Sequence, residues 1–167
     1  MPARPFRLGR SRTGLGIFAT RPIKKRTRIA EYKGPILTLE EADRAEKRGN
    51  RYLYEVSKNR TIDGTPHANV ARYFNHSCNP NAESIVWRGR VFVKTLRDIK
   101  PGEEIVYDYG TDYLKNVIGR SNCQCSRCRR RRARRARELR ELRQRRAKRL
   151  AAKTKSAARK KRKTARK

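Results

Sequence analysis

Four cysteines are the residues of this 167-residue chain whose chemistry is most readily predicted from their spacing. Three lie close together in Cys123-Gln-Cys125-Ser-Arg-Cys128, and Cys78 lies far upstream, in the middle of the chain. Thiolates suit tetrahedral zinc, and three clustered thiolates joined by a fourth through folding would make a closed structural site. The sequence therefore predicts one zinc site that ties the end of a domain to its middle.

Two other uses of the cysteines stay open from the residues alone. An even count is compatible with two disulfides, and the thiols could also be unligated. The chain begins Met1-Pro-Ala-Arg with no apolar signal stretch, so the sequence gives no support for an oxidising compartment.

No run approaches the ~18 apolar residues that cross a bilayer, and no membrane partner is predicted. We expect an intracellular, reducing location.

Charge divides the chain at Cys128. Of 47 lysines and arginines, 22 follow Cys128 against only Glu138 and Glu141, so residues 129–167 carry +20 and residues 1–128 carry +12 of the net +32. The basic tail has too few apolar residues to offset chain entropy by burial, which favours disorder in isolation. Residues 133–150 also fit a solvated helix, particularly one that lies on a polyanion. Its charge predicts salt-sensitive binding to DNA or RNA.

The first 128 residues have the pattern of a β-rich domain with one clear helix. Thr38 followed by Glu41 forms a capping box, and Gly49 is placed to end that helix. Arg88-Gly89 predicts a hairpin turn. The predicted strands are 17–19, 28–32, 52–56, 61–63, 83–87, 91–95 and 104–107.

Three short segments contain residue types that are common in binding sites. Gly14-Leu15-Gly16 precedes a strand but lacks the spacing of a phosphate-binding fingerprint. The segment 75–81, Asn-His-Ser-Cys-Asn-Pro-Asn, also fits a simple Asx-turn corner. In Tyr107-Asp108-Tyr109, strand alternation places the two phenol rings on one face. The rings could form the wall of a pocket, or they could simply pack in the core. Taken singly, each segment has a purely structural explanation.

In their order along the chain, these segments resemble the SET-domain protein lysine methyltransferases over about residues 10–128. The resemblance implies a mainly β fold with short helices, the SET-domain (β-clip) fold with a C-terminal pseudoknot. In that pseudoknot the segment before Tyr107 passes near the Asn75-His76 corner. The implied divisions are a SET domain at 1–113, a post-SET zinc segment at 114–128 and a basic, disordered or helical tail at 129–167. The motifs are Gly14-Leu-Gly16, Glu31-Tyr32-Lys-Gly34, Arg72 to Asn81, Gly102 to Tyr109 and the cysteine cluster.

The same resemblance implies methyl transfer from S-adenosylmethionine to a protein lysine. Tyr109 corresponds to the catalytic tyrosine, and Tyr32 to a hydroxyl that lines the lysine channel. Tyr107 occupies a position where tyrosine favours mono- or dimethylation. The implied cofactor residues are Gly14, Leu15, Gly16, Tyr52, Arg72, Asn75 and His76, the last two acting mainly through backbone groups. The implied zinc ligands are Cys78, Cys123, Cys125 and Cys128.

The implied substrates are histones or histone-like basic proteins. They would place the chain in the nucleus or on the chromosome of a eukaryote, or in the cytoplasm or nucleoid of a bacterium. The spacing of the last three cysteines is tighter than is usual in the family, and no aromatic residue follows Cys128. A competing interpretation is a non-catalytic, basic nucleic-acid-binding protein on the same scaffold.

Overall fold

Ten short strands in three small sheets are the main regular structure of the first 127 residues. The computed structural model describes residues 4–164, and side chains to residue 155. The chain divides into two units, residues 1–127 and 128–167. The strands are β1 (Phe6–Ser11), β2 (Gly14–Ala19), β3 (Arg28–Tyr32), β4 (Ile36–Leu37), β5 (Leu53–Ser57), β6 (Arg60–Asp63), β7 (Asn75–His76), β8 (Ala82–Trp87), β9 (Arg90–Thr95) and β10 (Glu104–Tyr107).

Helical segments are few and short in this first unit. They are α1 (Leu39–Lys47), a 3-10 turn (Val70–Tyr73), α2 (Thr111–Tyr113) and a single π turn (Leu114–Ile118). The sheets have the strand orders β1-β2-β10-β7, β3-β9-β8 and β4-β6-β5. The prediction of a mainly β domain is confirmed.

The seven predicted strands all exist, with boundaries within three residues of those expected. β1, β4 and β7 were not predicted. β4 and β7 have only two residues each, too few for alternation to show. In β1, only Phe6 and Leu8 supply the alternation, and β1 pairs with β2 alone, at the edge of its sheet.

Local turn chemistry was predictable because it depends on neighbouring residues only. The hydroxyl of Thr38 accepts the backbone N–H of Glu41, and the Glu41 carboxylate accepts the backbone N–H of Thr38, so the capping box is confirmed. Gly49 follows the helix with φ of +86°. Arg88 and Gly89 have φ of +49° and +69°, as a two-residue hairpin turn with both central residues at positive φ requires.

The β10 strand lies between two strands that are distant in sequence. It runs antiparallel to β2, with Ile105 opposite Ile17, and parallel to β7, with Tyr107 opposite His76. Ile17 and Ile105 are both fully buried and belong to the single core cluster. The segment before Tyr107 therefore passes beside the Asn75-His76 corner, as expected.

Asn81 acts as a strand partner for β10 through its side chain. Its amide oxygen accepts the backbone N–H of Val106 at 2.8 Å, and its amide nitrogen donates to the carbonyl of Glu104 at 2.8 Å. Its own backbone N–H donates to the Val106 carbonyl at 3.2 Å. Asn81 is only 3% exposed, so water cannot replace these bonds readily.

The second unit begins at Cys128, two residues after the start of one long helix, and contains the rest of that helix. α3 (Ser126–Thr164) has 39 residues, longer than the helix predicted at 133–150. After Gly119 the sequence contains no glycine or proline, and alanine, arginine, lysine and leucine are strong helix formers. Two i,i+4 ion pairs add local support, Arg134 with Glu138 at 3.5 Å and Arg137 with Glu141 at 2.9 Å. Within residues 4–164, no helix has both the length and the apolar character needed to cross a membrane.

Replacement of Asn81 by alanine should destabilise the first unit by about 2–4 kcal/mol, because it leaves the Val106 N–H and the Glu104 carbonyl buried without partners. Urea unfolding of the full chain measures this change. Asn79→Ala, in the same loop at an exposed position, is the matched control and should change stability by less than about 0.5 kcal/mol. Equal stability of the two variants would contradict the role assigned to Asn81.

Candidate functional site

One cleft of about 770 Å³ gathers every tyrosine of the chain. The seven tyrosines are spread between positions 32 and 113, on three strands or their flanks and in two helical segments. Tyrosine offers an apolar ring and a hydrogen-bonding tip, so the cleft has apolar walls with hydroxyls at defined places. The tyrosines are Tyr32, Tyr52, Tyr54, Tyr73, Tyr107, Tyr109 and Tyr113.

Three rings pack in series at one end of the cleft. The centroids of Tyr107 and Tyr109 are 4.9 Å apart, and those of Tyr109 and Tyr113 are 5.1 Å apart at 84°. The predicted proximity of Tyr107 and Tyr109 is confirmed, although β10 ends at Tyr107 and Tyr109 lies beyond the strand. Their contact therefore depends on the packing of the cleft as well as on strand alternation.

The hydroxyl of Tyr109 has a fixed direction. It donates to the backbone carbonyl of Phe74 at 2.5 Å. Burial raises the pKa of Tyr109, with smaller contributions from neighbouring tyrosines, so the phenol stays protonated at physiological pH. Because its hydrogen is committed to Phe74, its oxygen is left to accept a hydrogen bond from a group that enters the cleft. Burial also raises the pKa of Tyr107, so neither phenol can act as a base near neutral pH.

Tyr32 is held against a glycine that the sequence did not single out. Its hydroxyl donates to the backbone carbonyl of Tyr52 at 2.8 Å, and the Gly64 N–H donates to the same carbonyl at 2.8 Å. A Cβ on Gly64 would lie 2.1 Å from the Tyr32 hydroxyl oxygen. The place of Tyr32 in the cleft therefore requires glycine at position 64.

Arg72 and Asn75 line a second part of the cleft, called here its polar end. The guanidinium carbon of Arg72 lies 4.0 Å from the centroid of the Tyr52 ring, and one terminal nitrogen donates to the carbonyl of Thr65. The Arg72 Nε is buried without a hydrogen-bond partner, the one such side-chain atom in the described part of the chain. A buried N–H without an acceptor is costly, and a ligand in the adjoining cleft could supply one.

Asn75 joins the glycine segment to β10. Its side-chain nitrogen donates to the Leu15 carbonyl at 3.0 Å and to the Glu104 carboxylate at 2.8 Å. A Cβ on Gly16 would lie 2.6 Å from that carboxylate and 3.0 Å from the Asn75 nitrogen, so a side chain at position 16 would displace both groups. Gly14 has φ of +114°, which side-chain-bearing residues rarely adopt. Both glycines therefore have steric reasons to be present.

The predicted cofactor residues divide into two groups. Those that line the cleft are Leu15, Tyr52, Arg72 and Asn75. Those that do not line it are Gly14, Gly16 and His76. The two glycines shape the strand that carries Leu15, whereas the imidazole of His76 lies beside Cys78 and the backbone of Tyr109.

The four cysteines come together, as predicted. Their sulfur atoms all lie within 4.8 Å of one another, and those of Cys78 and Cys123 are 3.8 Å apart. Four sulfurs at ~2.3 Å from a central zinc would be about 3.8 Å apart, whereas a disulfide requires ~2.05 Å. The sulfur spacing therefore fits tetrahedral zinc and not two disulfides. The Arg127 side chain donates to the Cys78 carbonyl at 2.9 Å and holds that loop.

Several residues of the cleft had no recognisable signal in the sequence. The Tyr54 hydroxyl donates to Ser84 Oγ at 2.9 Å, and the Tyr113 hydroxyl donates to the Arg51 carbonyl at 2.9 Å. His67, expected to be an ordinary loop residue, lines the cleft with its Nδ1 2.9 Å from the Tyr73 hydroxyl. A lone serine or histidine has no informative spacing, so only the folded chain places these residues at the site.

Two of the relatives that this chain resembles are described as histone-lysine methyltransferases. A histone-lysine N-methyltransferase, NSD3, of Mus musculus is 39% identical over 68% of this chain and 8% of its own length. An H3 lysine-4 specific enzyme of Debaryomyces hansenii is 31% identical over 66% of this chain and 11% of its own length. The chain thus spans only a small part of the curated relatives that it matches.

A solved structure has a similar fold. It is a humanized mutant of the Chaetomium thermophilum Polycomb Repressive Complex 2 bound to the inhibitor GSK126, with a TM-score of 0.59 and 28% identity. The match covers 69% of this chain and 16% of that chain.

The family model described as SET domain matches residues 14–110, more than half of the chain. This range contains the glycine segment, the Asn75-His76 corner and β10, which together build the cleft. The chain belongs to the SET-domain family.

Proposed function

We propose that this chain is an S-adenosylmethionine-dependent protein-lysine N-methyltransferase that mono- or dimethylates histones or histone-like basic proteins. The observation that carries the proposal is the single cleft in which the Tyr109 hydroxyl, buried among tyrosine rings, faces the same space as Arg72 and Asn75. Such a cleft can hold an apolar amine tail at one end and a polar ligand at the other. Its volume of about 770 Å³ is within the range typical of cofactor sites.

The polar end suits the cofactor. S-adenosylmethionine supplies an electrophilic methyl group on a sulfonium when it is bound. Arg72 Nε offers an unused buried donor to an acidic or carbonyl oxygen, and Leu15, Tyr52 and Asn75 form the surrounding wall. Gly16 leaves the space that the Asn75 side chain requires. These residues would bind and orient the cofactor.

The tyrosine end suits a lysine side chain. A narrow, apolar channel disfavours the ammonium form, so the target amine can lose its proton without a dedicated protein base. The Tyr109 oxygen, which is free to accept, would hold an N–H of the neutral amine and aim its lone pair. Positioning of this kind can supply most of a rate enhancement when the reaction is a direct displacement.

Tyr109→Phe should reduce transfer of labelled methyl groups by about 100-fold or more, because it removes the oriented oxygen but keeps the ring packing. Transfer from S-adenosylmethionine to core histones, a bacterial histone-like protein and the chain itself measures the effect. Tyr73→Phe, which removes a hydroxyl from the same cleft, is the matched control and should retain more than about a third of the rate.

Cofactor binding separates the alternatives in this experiment. Both variants should bind S-adenosylmethionine within about twofold of the parent, because each keeps its ring, including the Tyr73 ring whose centroid lies 5.5 Å from the Arg72 guanidinium carbon. Absence of cofactor binding in the parent chain would refute the proposal and favour the non-catalytic nucleic-acid-binding interpretation.

The degree of methylation is proposed from Tyr107. Its side chain is only 7% exposed and packs against Tyr109, so its hydroxyl takes up room beside the amine. A second or third methyl group needs that room, and a hydroxyl or a water held by it would exclude the larger rotated amine. Mono- or dimethyl-lysine is the expected product.

Tyr107→Phe should therefore shift the product toward trimethyl-lysine while the rate of the first transfer stays within about fivefold of the parent. Mass spectrometry of a histone substrate at several reaction times gives the distribution. Tyr54→Phe, at the other wall, is the comparison variant. An unchanged distribution in Tyr107→Phe would assign product control to other side chains.

The cysteine cluster is proposed to hold one structural zinc ion. We expect about one zinc per chain in the purified protein, and loss of most of it in Cys123→Ser, because a neutral hydroxyl binds zinc far more weakly than a thiolate. Elemental analysis after dialysis gives the ratio. Ser121→Ala, at an exposed neighbouring position, should keep the metal. A metal-free parent chain that still unfolds cooperatively would contradict the proposal.

A basic protein substrate is supported by the names of the relatives and by local charge. Glu55 and Asp108 line the cleft and are exposed, so their carboxylates can attract lysine and arginine residues that flank a target. We propose a location where such substrates occur, the nucleus or chromosome in a eukaryote or the nucleoid in a bacterium.

Nucleic-acid contact is proposed for the basic tail. Residues 129–167 carry a net charge of +20, and the described tail is helical, so positive charges recur around a rod. Neutralisation of phosphates releases counterions, which makes affinity steep in salt and independent of base sequence. The tail would keep the enzyme near chromatin-bound or nucleoid-bound substrates.

Substitution of Arg131, Arg135, Arg145 and Arg149 by glutamine should lower the salt slope of duplex DNA binding by about 3.6, since each lost phosphate contact contributes ~0.9. Fluorescence anisotropy from 50 to 300 mM salt measures the slope. The matched variant replaces the exposed Lys25, Lys47, Lys58 and Lys100 in the first unit, with the same change in net charge. Equal slopes for the two variants would mean that the tail is not the binding element.

A further inference from the structure

We propose that the imidazole of His76 is a positioning group that joins the cysteine cluster to Tyr109, through one hydrogen bond to each. This inference deepens the proposed function and rests on it for the role of Tyr109. It assigns to the His76 side chain a task separate from any cofactor contact of its backbone.

The contact with Tyr109 fixes the tautomer of the ring. The backbone N–H of Tyr109 lies 3.2 Å from His76 Nδ1. A backbone N–H can only donate, so Nδ1 must present its lone pair. A ring whose Nδ1 accepts a hydrogen bond is the neutral form, and the His76 side chain is only 5% exposed. A neutral ring with a bare Nδ1 carries its hydrogen on Nε2.

That hydrogen points at a cysteine of the cluster. His76 Nε2 lies 3.2 Å from Cys78 Sγ, so the N–H donates to the sulfur. The group of atoms that could bind a metal ion consists of the four cysteine sulfurs and does not include His76 Nε2. His76 therefore lies next to the predicted ligands without being one of them. A thiolate is a strong acceptor, and hydrogen bonds from such outer groups orient metal ligands and tune metal affinity.

The Asp108 carboxylate is the other charged group near the ring. Its oxygen is 3.6 Å from Nδ1, beyond hydrogen-bonding distance, and its side chain is 55% exposed. Asp108 instead accepts the backbone N–H of Gly110 at 3.0 Å. The Nδ1 lone pair is therefore left to Tyr109.

Tyr109 needs such a contact because the sheet does not hold its backbone. The β10 ladder ends at Tyr107, and three residues beyond Tyr107 the chain turns at Gly110, which has φ of +93°. The backbone N–H of Tyr109 is fixed by His76, and the two rings also pack edge to face at 5.4 Å. Order in the cluster is thereby transmitted to the residue that presents its hydroxyl to the cleft.

Two substitutions separate the two hydrogen bonds. In His76→Asn, the amide oxygen can take the place of Nδ1, but nothing reaches Cys78. In His76→Gln, the amide nitrogen can reach Cys78, but the acceptor for Tyr109 is lost. Both variants are made in the full-length protein. The control variants are His67→Asn and His67→Gln, at the other histidine of the chain. They control for zinc affinity only, because His67 lines the cleft.

The expected results differ in direction for the two variants. His76→Asn should lower zinc affinity about 10- to 100-fold in chelator competition, with kcat within about threefold at saturating zinc. His76→Gln should keep zinc affinity within about threefold and lower kcat about 10-fold or more, with KM for the protein substrate nearly unchanged. If the imidazole only stabilised the fold, both substitutions would lower zinc affinity and kcat together.

Two further readouts do not depend on methyl transfer, and the first needs only the wild-type chain. Nitrogen chemical shifts of the wild-type imidazole should report hydrogen on Nε2. The backbone amide hydrogen of Tyr109 should exchange slowly with solvent in the wild-type chain and about 10-fold faster in His76→Gln. Hydrogen on Nδ1, or parental zinc affinity in His76→Asn, would overturn the inference. If the wild-type chain transfers no methyl group, these readouts still decide it, so its failure is distinguishable from that of the proposed function.

Discussion

The insertion of β10 between β2 and β7 is the constraint on which the site depends. It brings three segments, around residues 16, 75 and 107, into one sheet, and each segment contributes to the cleft. A central strand needs hydrogen-bond partners on both sides, and β7 is only two residues long. Asn81 supplies the remaining bonds from a side chain, so a single amide group completes the pairing of a buried strand.

The tyrosine cleft follows from that arrangement. Tyr107 ends β10, and Tyr109 lies just beyond it, where the backbone is free of the ladder and its position is set by side chains. Burial keeps the phenols protonated, so they position groups and do not exchange protons. A cleft of this kind suits a displacement whose barrier is lowered by alignment more than by acid or base chemistry.

The cysteine cluster and the cleft are close neighbours in the fold. Cys78 follows the Asn75-His76 corner by two residues, and the imidazole of His76 contacts both Cys78 and the backbone of Tyr109. Metal-ligand loops usually need outer hydrogen bonds to hold their geometry. His76 provides such a bond to Cys78 and also contacts the proposed catalytic tyrosine, so the proposed metal site and the tyrosine cleft share one support.

The sequence by itself determined the features that depend on neighbouring residues or on motif order. The Thr38 capping box, the Arg88-Gly89 turn and the long strands follow from local preferences, and the order of motifs indicated the family. The resemblance implied that β10 passes near β7, whereas tertiary structure alone decided that Gly64 must make room for Tyr32 and that all seven tyrosines share one cleft. These are contacts between residues far apart in the chain, and they depend on the packing of whole elements, which no local pattern encodes.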